Sequence, residues 1–196
     1  MVVHRDFCSN LVRYVERFQE DILMFRKASM QDLDRISEIY DEIHTEEENG
    51  SVTIGWVRGV YPTKKTAEES ILKGDMFVEI DNGQIVAAAK INQEQVPEYY
   101  DASWDYDVAD DQVMVLHTLV VYPRLKGNGY GSKFVDFYER YALEKGCLYL
   151  RMDTNARNVI ARRLYKKLGY KEVSIVPCVF NGIEGVQLVC LEKKLL

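Results

Sequence analysis

The chain of 196 residues has no Cys-x-x-Cys pair: its four cysteines, Cys8, Cys147, Cys178 and Cys190, are widely scattered. That spacing argues against both a zinc site and a disulfide framework, and predicts reduced, partly buried thiols in a cytoplasmic protein. No apolar run approaches the roughly 20 residues of a membrane helix, so no membrane partner is expected. The N-terminus lacks the compact apolar stretch of a signal peptide. Bases are outnumbered, with 25 Lys and Arg against 31 Asp and Glu and a net charge of −6. That balance disfavours a nucleic-acid partner. Neither internal repeats nor low-complexity tracts occur.

What is present is ordinary for a soluble globular protein, at 47% hydrophobic and 29% charged. The length predicts one domain with a small appendage, and a core that needs no staples. Residues 6–20 carry Phe7, Leu11, Tyr14, Val15 and Phe18 at helical steps, so residues 1–20 read as an added helix ahead of a domain over 21–196. A strand from Ile22 follows, then an amphipathic helix capped by Ser29, with Leu33, Ile36, Ile39, Tyr40 and Ile43 on one face. Residues 63–73 read as a further helix, capped by Thr63 or Thr66. Asn82-Gly83 predicts a tight hairpin between two strands. Residues 112–121 form a strand with little alternation, so both of its faces are expected to be covered. Helices to about Lys145 and over 156–169 and three more strands complete a mixed α/β order.

Charge is unevenly placed. Residues 98–112 hold six acids and no base, whereas seven bases and one acid, Asp153, fall between Arg151 and Lys171. Solvated faces explain either run; one end drawing a cation and another drawing an anion is the sharper alternative.

The stretch "YPRLKGNGYGSKF" links the strand 112–121 to a helix and holds Gly127, Gly129 and Gly131. Such a turn exposes unpaired amides at the positive end of a helix, and glycine permits close approach and positive φ, a combination suited to a phosphate. A Walker loop is excluded because no Lys-Ser/Thr follows the last glycine, and the spacing is GxGxG rather than the dinucleotide GxGxxG.

Together with "RMDTNARNVIARRLYKKLGYKEV", this stretch resembles the Gcn5-related N-acetyltransferase (GNAT) superfamily. The matching positions are Lys126-Gly127-Asn128-Gly129-Tyr130-Gly131, then Asn158, Ala161, Tyr165, Gly169 and Tyr170. Lys126 stands where Arg or Gln is usual, which keeps the charge but loses the planar fork. The resemblance implies a mostly antiparallel α+β sheet with splayed central strands, and acetyl-coenzyme A as co-substrate without a metal. It implies that the pyrophosphate rests on Lys126, Gly127, Asn128, Gly129, Tyr130, Gly131 and Ser132. The pantetheine arm would then follow Leu119, Val120 and Val121, with Asn155, Asn158 and Tyr165 alongside. Tyr165 would protonate the departing thiolate, and the Leu119 amide would hold the acetyl oxygen.

His117 interrupts an apolar strand, so it is either a buried, hydrogen-bonded histidine or a general base titrating between about pH 6 and 8. By alternation it shares a side of the strand with Leu119. Val115 stands where many relatives carry a glutamate, leaving His117 or a water-relayed acid as base. Glu42, Trp56, Tyr100 and Trp104 are candidate acceptor-binding residues, offering acid and aromatic surface to a cation. The expected partner is a small-molecule or protein amine, and a homodimer is allowed. The alternative to an enzyme is a coenzyme A-binding regulatory module without turnover.

Overall fold

The computed structural model describes residues 24–195. The helix expected over 6–20, and the start of the first strand at Ile22, lie outside the described residues. Seven strands form one sheet: β1 (Phe25–Lys27), β2 (Met76–Asp81), β3 (Gln84–Asn92), β4 (Val113–Val121), β5 (Tyr149–Asn155), β6 (Lys171–Phe180) and β7 (Ile183–Lys194). Their order is β1-β2-β3-β4-β5-β7-β6, and every pair is antiparallel except β4 with β5. Among the described residues, four helices flank it: α1 (Leu33–Glu48), α2 (Lys64–Leu72), α3 (Tyr130–Glu144) and α4 (Val159–Lys167).

The apolar pattern of each helix decides its place. The five apolar residues of the α1 stripe, Leu33 to Ile43, are all buried and pack with Ala67 and Ile71 of α2 on Met76, Val78, Ala88 and Val120. On the opposite face, Phe134, Tyr138 and Ala142 of α3 meet Phe77, Ala87, Ala89, Met114 and Leu116. Strand β3 therefore alternates between two cores, which is why three consecutive alanines suit it: large side chains would separate both layers. Burial of each large apolar side chain here contributes roughly 1.5–3 kcal/mol. Thr63 caps α2, accepting from the Thr66 amide, and Asn82-Gly83 turns β2 into β3 with both φ angles positive.

Two irregularities shape the centre of the sheet. Pairing of β4 with β5 runs only from Val113↔Tyr149 to Leu116↔Met152. Beyond it β5 continues with β7 to Asn155↔Leu188, so β4 and β5 part and leave a gap. The second is a bulge: Lys90↔His117 is followed by Ala88↔Val120, two residues on β3 against three on β4. Thr118 takes φ 52 there. The bulge overturns the expectation that His117 and Leu119 share a side, because an extra residue reverses the alternation. Leu119 packs with Val121 on the α3 core, whereas Val120 faces α1.

The acidic stretch 98–112 is largely committed to structure. Arg151, 5% exposed, and Glu192, 1% exposed, pair at 3.1 Å. Glu192 accepts from the amides of Asp105 (2.9 Å) and Tyr106 (3.3 Å), while Arg151 donates to Gln95 (2.6 Å) and to the Tyr106 carbonyl (2.8 Å). The Trp104 ring lies 4.1 Å from the guanidinium carbon. Arg151→Ala strands the Glu192 carboxylate, and is expected to cost about 3–5 kcal/mol of stability. Urea unfolding checks this; the paired change Arg151→Met with Glu192→Leu should cost far less.

Candidate active site

The gap between β4 and β5 opens into a cavity of about 1150 Å³. One end is the glycine turn. Gly127 and Gly129 take φ 83 and 84, and a Cβ at either would meet nothing within 4 Å. Their backbone therefore faces open space at the N-terminal end of α3, where Gly129 is the cap. Gly131 differs: a Cβ there would lie 3.3 Å from Leu164 Cδ2, so the third glycine lets α3 and α4 approach. Lys126, Tyr130 and Ser132 also line this end, as do Leu119, Val120 and Val121 along the unpaired side of β4. Lys126 Nζ is paired with Glu46 of α1, and Arg124 lies 3.4 Å from Glu42. Asn128 is turned away from the cavity, its amide donating to the Leu125 carbonyl at 3.1 Å.

From α4 come Asn158 and Tyr165. Asn158 caps the helix, its side-chain oxygen accepting from the Ala161 amide at 3.2 Å. Tyr165 is 7% exposed, packs edge-on to Tyr170 at 6.1 Å, and its hydroxyl makes no hydrogen bond to another described residue. Burial, with the negative charge of Asp153 nearby, pushes its pKa well up, so the phenol stays protonated. Asn155 lines the same wall, and its oxygen accepts from the Arg157 amide at 3.1 Å.

At the lip of the gap sits Asp153, opposite Cys190 on β7. Its carboxylate accepts from the Tyr99 hydroxyl at 2.8 Å. Burial raises its pKa to about 7, against a lowering from the Tyr99 hydrogen bond. Tyr61 lies near it and is hydrogen bonded to Thr118 at the β4 bulge. His117 lines the cavity as well, but its ring is engaged: Nε2 lies 3.0 Å from the Asn92 amide oxygen, which can only accept. Burial and the adjacent Lys90 push its pKa down to about 3. The titration expected between pH 6 and 8 therefore falls to Asp153 rather than to His117.

Of the acceptor candidates, only Trp56 lines the cavity. Glu42 faces Arg124, Tyr100 is 79% exposed, and Trp104 is held over Arg151 with its indole N–H on the Tyr99 carbonyl at 2.9 Å. The reason is the buried Arg151–Glu192 pair, which anchors residues 104–106 to β5 and β7. Tyr61, an aromatic residue of the same sequence region as Trp56, also lines the cavity, together with Asp153 and Thr118, which were not among the candidates. The available signal was Asp153 as the one acid in the basic stretch, seated at the end of a strand.

A model of the acetyltransferase (GNAT) family matches residues 33–170. No curated protein matches the chain. Among solved structures, a GNAT-family acetyltransferase from Streptococcus agalactiae aligns with TM-score 0.72 at 22% identity, covering 87% of this chain and 94% of that one. A ribosomal-protein-alanine N-acetyltransferase from Brucella melitensis gives 0.65 at 17%, covering 88% and 99%. The yncA protein of Salmonella typhimurium, solved with its cofactor acetyl-CoA, gives 0.64 at 18%, covering 88% and 93%. The expected sheet, with its splayed centre, is the one observed.

Proposed function

Because the chain belongs to the GNAT family of acetyltransferases, we propose that it moves an acetyl group from acetyl-coenzyme A to a primary amine by direct attack, with Asp153 as base and Tyr165 as acid. The observation that carries this reading is one cavity that joins an amide-lined glycine turn, a half-buried carboxylate and an unengaged tyrosine hydroxyl.

The glycine turn suits a pyrophosphate because its backbone is open and its end of α3 is positive. Lys126 would exchange its Glu46 partner for phosphate oxygens. Bound acetyl-coenzyme A supplies an activated acyl carbonyl and a thiolate leaving group. Asp153 takes a proton from the incoming ammonium, so that a neutral amine reaches the carbonyl carbon; a base titrating near 7 fits that task at neutral pH. The Leu119 amide, on the stretch of β4 that has left β5, is the candidate donor to the oxygen as it gains charge. As the C–S bond breaks, Tyr165 gives its proton to sulfur. The second proton of the nitrogen leaves through the cavity, and solvent restores the phenol. His117 orders the end of β3 through Asn92 and takes no proton.

Thiol release from acetyl-coenzyme A over a panel of amines tests the proposal. Amine-dependent release supports it. Tight coenzyme A binding with no amine-dependent release under any condition instead favours a non-catalytic coenzyme A-binding module.

A further inference from the structure

The segment between α1 and α2 crosses the cavity and is tied down on three sides. Tyr61 is hydrogen bonded to Thr118 on β4. Gly55, at φ 90, lies so close to Asn155 on β5 that an added Cβ would come within 2.4 Å of its amide nitrogen. Val60 lies against Gly182 in the β6–β7 turn, where a Cβ would fall 3.3 Å from it. At its base, Glu47 accepts from the amides of Ile54 (2.5 Å) and Gly55 (3.0 Å), and Arg58 pairs with Glu48 at 2.7 Å. The segment is thus a strap over the groove.

Beneath it, the part of the cavity away from the glycine turn is walled by Trp56, Tyr61, Phe180, Ile183, Val186 and Leu188. The acids that would suit a polycation are engaged elsewhere. Glu46 holds Lys126, Asp105 holds Lys171 at 2.6 Å, and Glu94 holds Lys73 and Lys90, each at 3.0 Å. Lys73 and Lys90, both neutralised by Glu94, line the cavity, as does Glu69, with Lys65 3.6 Å away. Among the described residues lining the cavity, Asp153, half-buried, is the carboxylate with no cationic partner.

Resting on the acetyl-transfer reading, we infer that the acceptor is a small primary amine with a single ammonium group on an apolar body the size of an aromatic ring, packed against the wall that the edge-on pair Trp56 and Tyr61 forms. A strapped groove does not admit a peptide running through it, and an apolar wall whose neighbouring acids are already paired offers no partner to a second ammonium. An aromatic or branched body covers those walls at little conformational cost.

The full chain, saturated with coenzyme A, is titrated with 2-phenylethylamine, spermidine and a short peptide bearing a free N-terminus and a lysine. The readouts are tryptophan emission and thiol release from acetyl-coenzyme A. Trp56 and Trp104 are the only two tryptophans, and only Trp56 lines the cavity, so a change in emission that Trp56→Phe abolishes reports this site. Phenylethylamine is expected to change the emission and to give the highest kcat/KM. Trp56→Ala should raise its KM about tenfold or more and leave the KM for acetyl-coenzyme A unchanged. Trp56→Phe, which keeps an aromatic wall, should restore most of the affinity. A higher kcat/KM for spermidine or the peptide overturns the inference and leaves acetyl transfer standing. Binding of acetyl-coenzyme A without release to any of the three overturns the inference. Absence of acetyl-coenzyme A binding overturns both readings.

Discussion

Asp153→Asn is expected to lower kcat/KM about 10²-fold or more, the range in which a positioned proton acceptor acts. The carboxamide keeps the size of the side chain and can still meet the Tyr99 hydroxyl, so binding of acetyl-coenzyme A should be preserved. The pH profile is the more specific readout. A base must be deprotonated to act, and burial raises the Asp153 pKa to about 7. The rate of the unaltered enzyme should therefore rise with pH through about 7 and level off above it. In Asp153→Asn that rise should vanish. In His117→Ala it should remain, because the imidazole is held at about 3 by burial and by Lys90. Glu79 is also pushed up to about 7, by burial on β2. It does not line the cavity, and it is present in both variants, so it does not produce the difference between them. A profile that keeps its limb in Asp153→Asn and loses it in His117→Ala would reverse the assignment of the base.

Tyr165→Phe is expected to reduce kcat by roughly 10²-fold, while the KM for acetyl-coenzyme A changes little. The ring is buried against Tyr170 and the α3 core, and phenylalanine preserves that packing. Only the proton is lost. The deficit should narrow with a thioester whose thiol is more acidic, since a better leaving group has less need of an acid. A deficit of the same size for both thioesters would assign the hydroxyl to positioning rather than to proton transfer. A melting temperature lowered by many degrees would place the effect in the core instead.

Much of the architecture was legible along the chain because it rests on local rules. The apolar stripe of α1 has a period that only a helix buries on one side. Asn82-Gly83 tolerates positive φ where a hairpin needs it, and glycines between β4 and α3 leave amides uncovered. The pattern from Lys126 to Tyr170 was sufficient to imply the family, and with it the cavity-lining positions Lys126, Asn158 and Tyr165. The N-terminal helix is a matter on which the described residues are silent.

Non-local facts had no such trace. Alternation along β4 predicts that His117 and Leu119 share a side, but it presumes an unbroken register. One extra residue opposite β3 puts Thr118 at positive φ and sends Leu119 to the other core. Likewise, Trp104 and Tyr100 offered aromatic surface in an acidic stretch, and nothing local says that a buried arginine on β5 and a glutamate on β7 hold that stretch. Asp153 stood as a lone acid between bases; its place at the gap, accepting from Tyr99, arises only because β4 leaves β5 there. The described helices, the hairpin and the glycine turn could be read along the chain, because they follow from periodicity, capping and φ preferences within a few residues. Which carboxylate sits at the gap, which acids are already paired and which aromatics wall the cavity emerge only from the folded chain. Those depend on desolvation and on partners many residues away, and no short stretch of sequence encodes either.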